Sequence, residues 1–226
     1  DFKIDSTPIE GKMIDLKRIG ELGKKGILAL MSDSTNVERP GYAMSERTVG
    51  DKFEQIFKGC DKRIIVATFA SNVHRVQQII SLSAEHGRKV AVLGRSMVNI
   101  IDAASELGYM EVPKGTLIDI KDVSRYPENK VTLVTTGSQG EPMSALYRLA
   151  FGAHDRITLG KNDLVVISAT AIPGNEKAVS IQRTHINPSH FRCQDSQTDN
   201  NQAAHLCEQE NYQVLAVFQP QDHTKQ

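Results

Sequence analysis

The sequence predicts an α/β fold, namely a Rossmann-like and mostly parallel open sheet with helices on both faces. Short runs of β-branched and other apolar residues recur along the chain, as is typical of strands that are buried on both sides. These runs alternate with segments that have apolar residues at helical spacing, and this order favours parallel strands joined by crossover helices. With 226 residues, of which 39% are hydrophobic and 24% charged, the chain has room for one large soluble domain.

The first half of the chain is expected to contain three strands and four helices. Apolar runs predict strands at residues 27–31, 64–69 and 89–93. Helical spacing of apolar residues predicts helices at residues 15–24, 45–58, 73–86 and 97–107. Ser45 suits the N-cap of the second helix, and Gly108 suits the end of the fourth.

The second half continues the alternation. Pro113 and Gly115 interrupt the chain before a short strand at residues 117–118 and a helical turn at 121–125. A β-branched run that begins at Val131 predicts the central strand, and an amphipathic helix is expected at residues 142–151. Further strands are expected at residues 157–159 and 164–168.

A turn with two glycines connects the central strand to the following helix. Gly137 and Gly140 permit backbone torsions that a Cβ atom forbids, so several N–H groups can point in one direction where the helix begins. One interpretation is therefore a phosphate site at residues 137–141. The other is a capped junction with Ser138 as the cap and Glu141 in the first helical turn. The Gly-x-x-Gly spacing matches neither the Walker loop nor the dinucleotide-binding fingerprint.

Polar residues follow the predicted strands. In an open parallel sheet the strands end at one edge, and ligands bind outside that edge. We therefore expect a groove for a phosphorylated ligand there, because hydroxyl, amide, imidazole and guanidinium groups all bind phosphate. Its residues are Asp33, Ser34, Thr35, Ser71, Asn72, His74, Arg75, Arg95, Ser96, Gly137, Ser138, Gln139, Asn175, Glu176 and Lys177.

These residues also have structural interpretations. Asp33 could cap a turn, and Arg95 could form a salt bridge instead of binding a phosphate. His74 and Arg75 stand in the first turn of a predicted helix, where positive charge opposes the helix dipole. A negatively charged partner is therefore expected near them.

Five segments at these junctions resemble, in the same order, the ribonuclease J family of bacteria. They are residues 32–36, 69–77, 94–97, 136–142 and 172–176, which read SDSTN, FASNVHRVQ, GRSM, TGSQGEP and IPGNE. The opening Asp1-Phe2-Lys3 resembles the same family, and the likeness covers roughly residues 1–180. In particular the chain resembles the β-CASP domain, which in this family is inserted into a metallo-β-lactamase domain.

The resemblance implies a metal-dependent ribonuclease that acts as a 5′-to-3′ exonuclease and as an endonuclease in RNA processing and mRNA decay. It implies a preference for 5′-monophosphorylated RNA, and two zinc-type divalent ions, zinc or manganese, that activate water for attack on the phosphodiester. Asp33 matches a catalytic carboxylate of the family, and Asp1 matches a metal ligand. The residues implied to bind RNA or phosphate are Ser34, Thr35, Ser71, Asn72, His74, Arg75, Arg95, Ser96, Gly137, Ser138, Gln139, Gly140 and Glu141.

The sequence departs from the family pattern in its metal-binding motifs. The His-x-His-x-Asp-His cluster that supplies most of the family's metal ligands is absent, and so are the later histidine motifs of the β-CASP domain. Because one carboxylate cannot hold two ions, we expect this chain alone to be inactive as a nuclease. The chain begins with Asp1 rather than Met, which favours a piece of a longer protein.

The predicted organisation has three parts. Residues 1–12 are expected to be a residual strand and linker of a metallo-β-lactamase domain, and residues 13–180 to form the β-CASP domain. Residues 181–226 contain no glycine, are rich in glutamine and interrupt a predicted helix, so we expect a disordered or non-native tail. The histidines and cysteines of this tail fit no common zinc module.

Charge and composition restrict the partners. The formal net charge of +0 gives no electrostatic reason for membrane binding, and no apolar run approaches the roughly 20 residues of a membrane helix. We expect a cytoplasmic protein that binds RNA, and a monomer, although the family forms homo-oligomers. Two alternatives from other classes are a non-catalytic phosphate- or nucleotide-binding α/β module and an assembly domain that only positions a partner.

Overall fold

The computed structural model describes residues 4–9, 13–32, 34, 40 and 45–186, together with the backbone of residues 204–209 and 212–217. Its strands are β1 (Arg63–Ala67), β2 (Lys89–Leu93), β3 (Leu117–Ile118), β4 (Val131–Thr135), β5 (Asp163–Ile167), β6 (Ala204–Gln209) and β7 (Tyr212–Val217). The α-helices of the described residues are α1 (Leu16–Lys24), α2 (Arg47–Phe57), α3 (Val73–Glu85), α4 (Arg95–Glu106), α5 (Ala145–Ala150) and α6 (Glu176–Ile186). Two short 3-10 helices, Ile120–Arg125 and Glu128–Lys130, precede β4.

The strands form one sheet in the order β3-β2-β4-β1-β5-β7-β6. Strands β1 to β5 pair in parallel, and Ile65 of β1 lies between Leu133 of β4 and Val165 of β5. The backbone of β7 continues the parallel pairing beside β5, and β6 pairs antiparallel with β7 at the edge. The mostly parallel α/β sheet that the sequence predicts is thus confirmed.

Helices cover both faces of the sheet. Successive strand side chains point to opposite faces. Ile64 and Val66 of β1 accordingly pack in a core with α2, α3 and α4. Ile65 and Ala67 pack in a second core with α5, the first 3-10 helix and Ile186 of α6. Burial on both faces explains why the strands are continuous apolar runs instead of alternating ones.

Strand β4 lies between β2 and β1, and the helices that follow these three strands leave in different directions. Helix α5, which follows β4, packs on one face, whereas α4 and α3 pack on the other. Open α/β sheets bind ligands where neighbouring helices diverge in this way, which here is the carboxyl end of β4.

A buried ion pair joins the amino ends of β1 and β5. The Arg63 Nε and Nη2 atoms donate to the Asp163 carboxylate at 2.6 and 2.8 Å, and Nη2 also donates to the Thr158 carbonyl at 2.9 Å. The same carboxylate accepts the Gly160 N–H at 2.7 Å. Both charges are hydrogen-bonded, as the burial of charged groups requires. Arg63 and Asp163 are register partners, so the pair stabilises the alignment of β1 with β5.

Three predicted elements differ in the structure. Residues 27–31 form no strand, and Leu28 and Met31 are almost fully exposed, because no described strand pairs with this apolar run. Residues 157–159 form no strand either, although Ile157 is buried in the core. The helix expected at residues 142–151 begins only at Ala145, because Met143 has a φ of 68°, which no right-handed helix allows.

The other predicted helices are confirmed with shifts of at most two residues at their ends. Helix α6 continues through residue 180, the predicted domain boundary, as far as Ile186. Residues 187–203, 210–211 and 218–226 lie outside the described residues, so the domain boundaries and the nature of the tail stay predictions. None of the described helices combines the length and the apolar character needed to cross a membrane.

The turn after β4 packs against the beginning of α6. Gly140 in this turn has a φ of 72°, in the region that side-chain-bearing residues rarely adopt. A Cβ atom at this position would lie 2.5 Å from the carbonyl carbon of Ala178 and 2.8 Å from the backbone nitrogen of Val179. Both the torsion and the contact therefore require glycine.

We expect Gly140→Ala to lower the free energy of unfolding by about 2–5 kcal/mol, because backbone strain and overpacking both contribute. Urea denaturation measures this difference. Two matched controls separate the causes. Gly174 has a positive φ of 97° but open space around it, so Gly174→Ala should lower the free energy of unfolding by only about 1–2 kcal/mol. Gly160→Ala has neither feature and should be close to neutral. Equal losses in all three variants would contradict the role of the contact with α6.

His154 lies in the loop between α5 and β5 and holds that loop through its ring. Its Nδ1 atom accepts the N–H of Ile157 at 3.2 Å and that of Arg156 at 3.4 Å. Burial, with a smaller contribution from the Arg148 guanidinium, lowers the pKa of His154. The folded protein therefore favours the neutral ring, which can accept these bonds.

This lowered pKa predicts a loss of stability in mild acid. Below about pH 6.5, the ordinary pKa of histidine, the unfolded chain takes up a proton before the folded chain does, so the free energy of unfolding falls. We expect the urea midpoint to decrease between about pH 7.5 and pH 5.5, and to decrease less in His154→Gln. His74→Gln, which removes an exposed histidine instead, is the matched control. If the urea midpoint of His154→Gln falls with decreasing pH as steeply as that of the wild type, this role of the ring is excluded.

Candidate functional site

The structure brings most of the predicted polar residues to one edge of the sheet. Because β1, β2, β4 and β5 are parallel, the segments after their carboxyl ends lie side by side. Some residues of these segments have side chains that face solvent, and others have side chains that bond within the protein. The exposed ones are Ser71, His74, Arg95, Ser96, Glu141, Glu176 and Lys177, and the buried ones are Arg75, Ser138 and Gln139.

Gln139 connects the turn after β4 to the segment after β5. Its Nε2 atom donates to the Thr170 carbonyl at 2.9 Å, and its Oε1 atom accepts the Ile172 N–H at 2.8 Å. Both ends of a side chain that is only 4% exposed are thus bonded to backbone. In this arrangement Gln139 shapes the edge, and its amide does not face solvent.

The backbone of the same turn already holds a carboxylate. The Gln139 N–H donates to the Glu141 Oε2 atom at 3.0 Å, and the Gly140 N–H points to the Gly137 carbonyl at 3.4 Å. Ser138 is 1% exposed. An incoming phosphate that uses the Gln139 N–H has to displace Glu141, which is exposed and can move away.

The sequence-based interpretation of Ser138 as a helix cap is wrong. Helix α5 begins at Ala145, and its cap is Ser144, whose hydroxyl accepts the Tyr147 N–H at 3.3 Å. Pro142 and Met143 separate the glycine turn from the helix. The partial charge of the helix terminus therefore acts at Ser144 and not at residues 137–140.

The start of α3 forms one end of an open groove of about 830 Å³. Asn72 caps the helix, since its Oδ1 atom accepts the Arg75 N–H at 3.1 Å. Ser71 and His74 line the groove together with apolar residues of α4 and the segment that follows it, including the exposed Tyr109. This groove continues the polar edge onto the helical face of the sheet.

Arg75 is 7% exposed and its guanidinium is used within the protein. The Nε and Nη2 atoms donate to the Glu46 carboxylate at 2.6 and 2.9 Å, and Nη1 donates to the Ser168 carbonyl at 2.9 Å. Glu46 is the negatively charged partner expected near the start of α3. The sequence itself does not reveal Glu46, because a Ser-Glu pair before a helix is typical of an ordinary helix start.

The start of α4 lies beside the end of β4. Gly94, with a φ of 101°, lies so close to Thr136 that a Cβ atom would be 2.7 Å from the Thr136 Oγ1 atom. No side chain caps this helix. Arg95 and Ser96 are exposed, and Arg95 forms no ion pair with any other described residue. Arg95 is therefore one cation of this edge that is open to a ligand, and the exposed Lys177 at the start of α6 is another.

The residues predicted for metal binding and catalysis lie mostly outside the described residues. Asp1, Asp33 and Thr35 are not described, and Ser34 is exposed. Within the described part of the chain, no three His, Cys, Asp or Glu side chains come together as a metal site. These residues alone do not fit a two-metal centre, and no step of a reaction is derived through one.

Comparison with known proteins identifies the family to which the sheet-forming part of the chain belongs. Residues 61–186 match the family model described as "Ribonuclease J, beta-CASP domain". The chain is 43% identical over 221 residues to Ribonuclease J of Helicobacter pylori strain J99, covering 97% of this chain and 32% of that protein. It is 48% identical over 179 residues to Ribonuclease J of Synechocystis, covering 79% and 28% of the two chains. Ribonuclease J2 of Bacillus subtilis is 43% identical over 176 residues, with 78% and 32% covered.

The chain spans about a third of the length of these relatives, and its alignment with the Helicobacter pylori protein extends beyond residue 180. The family match includes strands β1 to β5 and helices α3 to α6, and so the polar edge after β1, β2, β4 and β5. Because this match covers more than half of the chain, the chain belongs to the ribonuclease J family, and residues 61–186 match the β-CASP domain of that family.

Proposed function

We propose that this chain forms the RNA-facing β-CASP part of a metal-dependent ribonuclease. The activity would be that of a 5′-to-3′ exonuclease and an endonuclease in RNA processing and mRNA decay. The observation that supports this proposal is the family match, which covers the strands whose carboxyl ends carry the polar edge. In this reading the edge binds the phosphates of RNA, preferably RNA with a 5′-monophosphate.

The exposed residues of the edge would contact RNA directly. Arg95 supplies a charge that has no ion-pair partner among the described residues, and the N–H groups at the start of α4 are not capped by a side chain. Ser71, His74 and Ser96 supply further donors within reach of solvent. Gln139 and Asn72 act through the backbone, because their side chains already hold the turn and the helix start.

Asp33 is proposed as the catalytic carboxylate and Asp1 as a metal ligand, with Ser34 and Thr35 beside the RNA. Two divalent ions, zinc or manganese, would activate water and stabilise charge on the phosphate when bound. Asp33 and Asp1 could supply only part of such a centre, so we propose that the chain alone binds RNA without cleaving it. A monomeric state and a cytoplasmic location complete the proposal.

We expect a short 5′-monophosphorylated RNA to bind this chain more tightly than its 5′-hydroxyl counterpart. Arg95→Met should weaken binding of both RNAs and lower the slope of log affinity against log salt by about 0.7, the value for one lost phosphate contact on a single strand. Fluorescence anisotropy at several salt concentrations, with manganese present, measures both quantities.

The control for this experiment is Arg156→Met, which removes an exposed arginine in the loop before the amino end of β5. It should leave affinity and salt slope unchanged. Equal losses in Arg95→Met and Arg156→Met would show that binding depends on overall charge and not on the polar edge. Cleavage of the RNA would contradict the proposal that the chain alone is inactive.

A further inference from the structure

Arg75 lies at the centre of a chain of contacts that leaves the sheet. On one side its Nη1 atom binds the carbonyl of Ser168, the first residue after β5, at 2.9 Å. On the other side it holds both carboxylate oxygens of Glu46, at 2.6 and 2.9 Å. Glu46 precedes α2 and belongs to neither β5 nor α3. The guanidinium thus connects the carboxyl edge to a different segment of the chain.

Glu46 in turn contacts the N-terminal segment, residues 4–9. Its N–H donates to the Asp5 Oδ2 atom at 3.2 Å, and the Asp5 Oδ1 atom accepts the Thr7 N–H at 2.9 Å. The Ser45 hydroxyl donates to the Thr7 carbonyl at 2.9 Å. Residues 4–9 and 45–46 are about forty positions apart in sequence, yet these bonds hold them side by side.

These contacts form a continuous path from Ser168 through Arg75 and Glu46 to Asp5. The side chains of Arg75 and Glu46 are 8% and 14% exposed, so their attraction is screened little by solvent. Two parallel hydrogen bonds also fix the direction of the Glu46 carboxylate, which a single contact would not. The Asn72 cap and the apolar core hold α3 without help from Arg75. The bonds of Arg75 are therefore not needed to hold α3, and they instead connect the segments that contain Ser168 and Glu46.

We propose that Arg75 is a positioning residue that holds the N-terminal segment against the carboxyl edge through Glu46, instead of binding RNA phosphate itself. The positioning role itself rests only on the contacts of Arg75, Glu46 and Asp5.

Hydrogen exchange on the whole chain tests the positioning role. In Arg75→Met we expect the amides of Thr7 and Glu46 to exchange at least about tenfold faster, because the ion pair that joins the Glu46 segment to the carboxyl edge is lost. The amides of Ile65 and Leu133 in the sheet should keep their wild-type rates. Arg75→Lys, which keeps the charge but loses the paired geometry, should lie between the two.

Glu46→Gln provides a second variant that leaves Arg75 in place. It should also speed exchange of the Thr7 amide. In the double variant with Arg75→Met this amide should exchange no faster than in Arg75→Met alone, since both changes break the same contact. Arg95→Met is the matched control at the same edge and should leave these amides unchanged. Wild-type exchange at Thr7 and Glu46 in a folded Arg75→Met protein would overturn the proposal, and so would additive effects in the double variant.

Binding of 5′-monophosphorylated RNA distinguishes this proposal from the proposed function. Because Glu46 neutralises Arg75, Arg75→Met should leave the salt slope of binding unchanged, whereas Arg95→Met should lower it. A lowered slope in Arg75→Met would make Arg75 a phosphate ligand and overturn its assignment as a positioning residue. If Arg95→Met does not change RNA binding, or if no RNA binds at all, the proposed function is contradicted. In that case hydrogen exchange alone decides the role of Arg75.

Discussion

The packing of helices against both faces of the parallel sheet is the constraint on which the polar edge depends. Val66, Leu133 and Val165 are fully buried, so no polar side chain can be placed on the faces of these strands without losing its water. At the amino edge the charges of Arg63 and Asp163 are paired with each other. Functional groups are thus collected at the carboxyl edge, where the chain leaves each strand.

Several groups at the carboxyl edge are used to build it. Gln139 bonds to the segment after β5, Glu141 holds the turn after β4, and Arg75 pairs with Glu46. Buried polar groups need such partners, and each partner lies in a different segment. The edge is therefore assembled from long-range contacts, which hold the exposed groups such as Arg95 in fixed positions.

The sequence predicts the strands of the sheet well because burial on both faces leaves a local signal, as in the run from Ile64 to Ala67. It cannot predict contacts such as Arg63–Asp163, whose partners are 100 residues apart. The predicted strand at residues 27–31 fails because an apolar run forms a strand only with a neighbour. For the candidate site, motif resemblance identified segments that the structure places at one edge of the sheet, but it could not separate Arg75, which is paired, from Arg95, which is exposed.

The change of composition after Ser180 has a physical counterpart in α6. Gln182 is fully buried, and neither atom of its amide has a hydrogen-bond partner among the described residues. A buried amide without partners is costly, and an apolar side chain would fit the same place better. The buried face of α6 is thus apolar at Val179 and Ile186 and polar between them.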